Sequence, residues 1–118
     1  MIITLFTPTY NRAHLLFRLY NSILQQNFMD VEWLIVDDGS SDSTENVIQS
    51  FIEENKIIIH YFKKKNGGKH SAINFGLQKA KGELFFIIDS DDLLADNALK
   101  IVEKKYQSIK EDAKICGI

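Results

Sequence analysis

The chain has 118 residues, with 14 Lys plus Arg against 16 Asp plus Glu, a formal net charge of −2, 45% hydrophobic and 25% charged residues. This balance fits one globular domain with one modest core, and excludes a disordered tail, a large multidomain enzyme and a strongly basic nucleic-acid binder. The single cysteine, Cys116, excludes a disulfide framework and a cysteine-based zinc site, so a reducing compartment is expected.

The predicted elements alternate along the chain. Ile2 to Phe6 is apolar and β-branched, hence a strand. Asn11 is placed to N-cap a helix whose apolar stripe is Leu15, Leu16, Leu19, Tyr20, Ile23 and Leu24. Val31 to Val36 is a second strand, with Trp33 core or half-buried. Asp42 and Glu45 resemble a capping box ahead of a helix carrying Val47, Ile48, Phe51 and Ile52. Ile57 to Phe62 is a third strand. The next helix has Ala72, Gly76 and Ala80 on one face, which lets it lie close to a neighbour, and Gly82 suits its C-terminal cap. Leu84 to Ile88 is a fourth strand, and Asp96 suits the start of a helix with Ala98, Leu99, Val102 and Ile109. Ile115 to Ile118 begin what reads as a fifth strand cut short, so the chain is expected to be a C-terminally truncated portion of a larger domain. Strands recur every ~30 residues, the size of a βαβ unit. The expected fold is therefore α/β, a doubly wound, mostly parallel sheet of four full strands plus a C-terminal stub. No apolar run approaches the ~20 residues of a membrane span, and the N-terminus lacks the basic flank of a signal peptide. Cytoplasmic localisation is the expectation, with any attachment to the inner face of a membrane residing in regions outside this chain.

In such sheets ligands bind beyond the carboxyl ends of the strands. The polar segments lie there: Thr7 to Arg12, Asp37 to Asp42, Lys63 to His70, and Asp89 to Asp92. Asp89, Asp91 and Asp92 follow five apolar residues, and mutual repulsion makes such a cluster costly without a cation. A hard divalent ion, Mn²⁺ or Mg²⁺, is favoured over a plain helix start. Asp37 to Ser40 has ordinary turn composition, although Asp38 could accept a hydrogen bond from a ring imide. Asp42 fits an N-cap better than a ligand. At least two of Lys63, Lys64 and Lys65 should be solvated, while Lys69, after Gly67-Gly68 and at a helix start, is the better anion partner. Neither a P-loop nor a Gly-x-Gly-x-x-Gly fingerprint is present. His14 and His60 are expected at surface or edge positions, and His70 is open. Tyr10 could stack on a base or simply pack beside Pro8.

Taken in order, Thr7-Pro8-Thr9-Tyr10-Asn11-Arg12, Trp33 to Asp42, Asn66-Gly67-Gly68 with Asn74-Phe75-Gly76, and Gly82-Glu83 leading into Asp89-Ser90-Asp91-Asp92 resemble family 2 glycosyltransferases of the GT-A fold. The resemblance spans essentially the whole chain. It implies a nucleotide-sugar donor, most often a uridine diphosphate sugar, with Pro8, Thr9 and Tyr10 cradling the base and Asp38 bonding its imide. Asp89-Ser90-Asp91 matches the family's Asp-x-Asp motif: Asp89 would face the ribose, and Asp91, with Asp89, would hold Mn²⁺ or Mg²⁺ at the diphosphate. Asp92 would support the motif and Lys69 would be a charge partner. The implied acceptor is an unspecified glycan, lipid or protein hydroxyl, in polysaccharide or cell-wall glycan synthesis, with no nucleic acid involved. The family inverts the anomeric centre with a carboxylate base from the second half of its domain. That base is expected beyond Ile118, so this portion should bind donor but transfer little or no sugar.

Three alternatives compete. A receiver-type phospho-acceptor domain has the right size and an acidic cluster, but its acidic pair should follow strand one. A haloacid-dehalogenase-type phosphatase shares an apolar strand ending in Asp-x-Asp, but that motif should open the domain. A non-catalytic nucleotide-binding module would have the same pocket with no partner half.

Overall fold

The first two strands are buried along almost their whole length, and because successive side chains point to opposite sides, the sheet has two covered faces. A computed structural model describes residues 3–115, apart from the side chains of residue 69 and residues 110–115. The elements are β1 (Ile3–Thr9), α1 (Ala13–Leu24), β2 (Val31–Asp37), α2 (Thr44–Glu54), β3 (Ile58–Lys63), α3 (Lys69–Lys79), β4 (Leu84–Ile87) and α4 (Ala98–Ile115). The strands form one parallel sheet in the order β3-β2-β1-β4, with Ile3 opposite both Val31 and Leu84, and Glu32 opposite Ile58. Ile3, Leu5, Trp33 and Ile35 point to one face, where Leu16, Leu19, Tyr20 and Ile23 of α1, Ile48 and Phe51 of α2 and Leu99 of α4 close over them. Phe6, Leu34 and Val36 point to the other and meet Ala72 of α3. Right-handed crossovers produce this division, because the chain moves across the sheet from β1 to β3 and then back over it to reach β4. The α/β, doubly wound expectation holds. A receiver-type domain would need the order 2-1-3-4-5, so that alternative falls.

The large face is organised around Trp33, which is fully buried. Its indole N–H donates to Thr7 Oγ1 at 2.9 Å, and its ring lies 6.1 Å from Tyr20 and 6.2 Å from Phe51. Tyr20 stacks on Phe51 at 4.0 Å and donates its hydroxyl to Glu54 at 2.7 Å, so a buried phenol keeps its polar end satisfied at the rim. On the smaller face the stripe of small residues performs as expected. A Cβ on Gly76 would lie 2.2 Å from Cε1 of Phe6, whose ring is buried and stacked on Phe85 at 5.1 Å.

Several local expectations need correction. The fifth strand does not begin at Ile115, which closes α4, while Cys116 to Ile118 lie outside the described residues. Asn11 does not cap α1: Arg12 holds the cap position, and Asn11 takes φ +52° and turns its side chain to the neighbouring loop. Ser43, not Asp42, precedes α2. α4 begins two residues after Asp96, and its Leu99 N–H is met by Gln26 Oε1 at 3.1 Å. That buried glutamine also donates to Ala95 O at 2.8 Å, so a long-range side chain replaces the local cap. Gly82 lies past the α3 cap residue Ala80, where a Cβ would come 2.5 Å from the backbone N of Thr4. It is a close-approach glycine. Finally, β1 runs on to Thr9, placing Pro8 inside a central strand.

The Phe6 contact is directly testable. Gly76→Ala should lower stability by about 1–3 kcal/mol through overpacking, against a helix-propensity gain of about 1 kcal/mol. Chemical unfolding that finds the variant as stable as the parent would show that α3 does not lie this close to β1.

Candidate functional site

Pro8 is the local reason for a cleft. The Ile88 N–H donates to Phe6 O at 2.9 Å and the Asp38 N–H to Thr9 O at 2.9 Å, so Phe6 faces β4 and Thr9 faces β2. Pro8, two residues after Phe6, therefore aims its missing donor at the β4 side, where pairing has stopped at Phe6 opposite Ile87. At this point β1 and β4 part company. The order 3-2-1-4 makes it the topological switch point, because the crossover from β1 to β2 runs over one face with α1 and the crossover from β3 to β4 over the other with α3.

The opening is a cleft of about 300 Å³ lined by Pro8, Thr9, Tyr10, Arg12, Asp38, Ala72, Asp89, Ser90 and Asp91. Thus Pro8, Thr9, Tyr10, Asp38, Asp89, Ser90 and Asp91, separated by up to 83 positions in the chain, share one wall-to-wall site. Tyr10 is 46% exposed, so its ring is available to a ligand, while Ser90 is buried. Thr9 is buried and its hydroxyl has no hydrogen-bond partner among the described residues. A ligand in the cleft can supply one. Lys69 opens α3, with its side chain outside the described residues. His14 and His70 are exposed, and His60 lies on edge strand β3, 3.5 Å from the buried Glu32.

Hydrogen bonds between loops hold the site. Asn11 donates its N–H to Ser40 Oγ at 2.8 Å and accepts at Oδ1 from the Ser41 N–H at 2.8 Å. Asp37 closes the next turn by accepting from the Ser40 N–H at 2.8 Å and from the Tyr61 hydroxyl at 2.6 Å. Gly39 sits at φ +85°, and a Cβ there would also come 3.1 Å from Asn66 N. Asp38 binds the following loop: Oδ1 accepts from Lys64 Nζ and Gly67 N–H, both at 2.8 Å, and Oδ2 from Gly68 N–H at 2.9 Å. Burial pushes the Asp38 carboxyl up, but the Lys64 ammonium and the two N–H groups outweigh it and hold the carboxyl below its ordinary value. Lys63 and Lys65 are exposed as expected. Lys64 is the exception in the run: it bonds to Asp38 of the cleft, and its neighbours gave no signal because that partner is 26 positions away, while Arg12 is a lining residue to which the sequence assigned no role.

Asp89, Asp91 and Asp92 bring one carboxylate oxygen each to within 4.8 Å of one another. The Asp92 N–H donates to Asp89 O at 3.0 Å, so a tight turn is what gathers them. Three hard oxygen donors on one small arc, at the mouth of a cleft, fit a divalent cation of the Mg²⁺ or Mn²⁺ kind.

Comparison with known proteins joins this geometry to a family. The sequence model of "Glycosyl transferase family 2" matches residues 4–118. The chain belongs to that family. An uncharacterised glycosyltransferase of Mycoplasma genitalium is 37% identical over 96% of this chain and 40% of its own length. Among solved structures, S. aureus TarS 1-349 in complex with UDP-GlcNAc superposes with a TM-score of 0.82 at 30% identity, covering 88% of this chain and 30% of that one. The mannosyltransferase PcManGT of Pyrobaculum calidifontis, in complex with GDP-Man and Mn²⁺, superposes with a TM-score of 0.76 at 28% identity, covering 80% and 29%. The chain therefore spans two fifths of the length of the Mycoplasma relative. The family 2 assignment also displaces the phosphatase alternative, and the fold is that of GT-A enzymes.

A pH test follows from Asp42. Its carboxylate accepts from Thr44 N–H at 3.0 Å and from Ala13 N–H at 3.3 Å, and also from the Thr44 hydroxyl, so one group serves the first residues of α1 and α2. Burial raises this carboxyl, but the bonds from Thr44 and Ala13 prevail and lower it below its ordinary value. A depressed folded-state value means stability that is present above the unfolded value, about 3.9, and is lost as pH falls through the folded one. Asp42→Ala should cost about 1 kcal/mol at neutral pH, and the difference from the parent should shrink as the pH falls below about 3.9 in denaturant titrations.

Proposed function

We propose that this chain forms the donor side of a glycosyltransferase that transfers a sugar from a nucleoside diphosphate, a uridine diphosphate sugar above others, to an acceptor hydroxyl. The observation that carries the reading is the convergence on one cleft, at the switch point, of Pro8, Thr9, Tyr10 and Asp38 with Asp89 and Asp91 of the three-carboxylate turn. The first set suits a base and ribose: an exposed aromatic ring, an unpartnered buried hydroxyl and an ionised acceptor. The second suits the charged end of the same molecule.

Asp91 and Asp89 would hold Mn²⁺ or Mg²⁺, with Asp92 beside them. The bound metal supplies Lewis-acid neutralisation of the leaving diphosphate. Asp38 orients the base through its N–H edge, and Thr9 satisfies its hydroxyl on the nucleoside. Ser90, buried where it lines the cleft, is a substrate-binding residue in this reading. Lys69, at the first position of α3, would add positive charge where the helix N–H groups favour anions. Inversion needs a base to take the acceptor proton within hydrogen-bond reach. Asp37, Asp38 and Asp42 are committed to loop contacts and the remaining cleft acids to the metal turn, so that base is assigned outside residues 3–115. The acceptor is a glycan, lipid or protein hydroxyl, as in the building of surface polysaccharides. The relatives that share this chain's length only in part support donor binding more directly than acceptor choice.

Thermal unfolding with uridine, guanosine, cytidine and adenosine diphosphates, each with Mn²⁺ or chelator, tests the proposal. A ligand at ~100 times its dissociation constant adds about 2.7 kcal/mol, a shift of several degrees for a domain of this size. The expected result is a uridine-selective rise that requires Mn²⁺ and disappears in Asp91→Ala. No rise with any diphosphate would refute donor binding by this chain.

A further inference from the structure

Lys64 is the side chain in the cleft region whose placement is least expected. It follows β3, and its N–H donates to Asp37 O at 2.8 Å, which fixes its backbone one step beyond the strand. Its side chain is only 15% exposed, and Nζ meets Asp38 Oδ1 at 2.8 Å and Lys65 O at 2.7 Å. A Cβ on Gly67 would lie 3.0 Å from that Nζ. The glycine makes room for the ammonium. Asp38 consequently has two donors on Oδ1 and one on Oδ2. An ionised carboxylate offers about four acceptor sites and no donor, so it retains the capacity to accept one more N–H and has nothing to give.

Resting on the nucleotide-sugar reading above, we propose that Lys64 is a positioning and specificity-determining residue: it keeps Asp38 an acceptor, so the cleft selects a base that presents a ring N–H. Uracil has such an N–H at its central edge nitrogen and guanine has one too, whereas cytosine presents a lone pair there. Lone pair against carboxylate is a mismatch that leaves both groups without a bond. If Asp38 carried a proton, its hydroxyl would match cytosine and the preference would fade. Burial by itself pushes the carboxyl toward that state, and Lys64 is the first of the groups that oppose it. The two N–H groups of Gly67 and Gly68 hold the orientation but bring no full charge.

The test is a calorimetric comparison of uridine and cytidine diphosphate binding to the 118-residue chain at constant Mn²⁺, at pH 8 and at about pH 5.5, within reach of a raised carboxyl. Ionisation of the phosphates affects both ligands alike, and protonation of the cytosine ring nitrogen on acidification is common to every variant, so the change in the ratio is read against the wild type. The wild type should favour the uridine ligand by about 100-fold at pH 8. Lys64→Met should keep most of that preference at pH 8 and lose more of it than the wild type does on acidification, while Lys64→Arg should follow the wild type. A Lys64→Met ratio that changes with pH only as the wild type's does would overturn the role of Lys64 and leave donor binding standing. A Lys64→Arg ratio that departs from the wild type's on acidification would also overturn it. Failure of the wild type to bind either nucleotide would overturn the donor reading and this inference together.

Discussion

β1 has a neighbour on each side, but its two partnerships have different lengths. It pairs with β2 from Ile3 to Thr9 and with β4 only from Ile3 to Phe6. The extra three residues on one side, Thr7 to Thr9, include a proline that has no donor for the other side, and they open a gap in an otherwise continuous parallel sheet. Everything that gives the molecule a site follows from that gap. The crossovers from β1 to β2 and from β3 to β4 run over opposite faces, and the strand ends around the gap are held in place by hydrogen bonds that a free loop would lack.

The same amino acid performs two different tasks around this gap, and the donors nearby decide which. Asp37, Asp38 and Asp42 are met by backbone N–H groups, hydroxyls or an ammonium, so they act as internal struts between loops. Asp91 and Asp92 are exposed and are gathered with Asp89 into a turn where carboxylates face one another. Repulsion among them is tolerable because water and salt screen it. Composition treats all six as equivalent.

The opposite end of the sheet shows what a buried acid does when no ligand is involved. Glu32 is fully buried, accepts from the Thr4 hydroxyl and from the Lys81 N–H at 2.7 Å, and has His60 at 3.5 Å. With Gly82 N–H donating to Thr4 Oγ1 at 2.8 Å, the α3 to β4 connection is tied to both β1 and β2. That tie sets where β4 begins. It thereby supports the register at the far end, where β4 stops and the cleft opens.

Short apolar runs rich in β-branched and aromatic residues at Ile2 to Phe6 and Val31 to Val36, helix-period stripes between strands, and the ~30-residue repeat were enough to determine the α/β class, because burial of apolar side chains is a local property of the pattern. The Asp-x-Asp turn and the polar strand ends were equally legible, since parallel α/β sheets collect ligands at one end. What tertiary structure alone decided were the partners. Asn11 left its own helix for Ser41, Gln26 capped a helix 73 positions away, Ile115 continued α4 where its composition suggested a strand, and Lys64 reached Asp38 while its two lysine neighbours stayed in solvent. Each of these is a long-range choice between satisfying a polar group locally and satisfying it across the fold, and only the assembled sheet fixes which donors and acceptors come within hydrogen-bond distance.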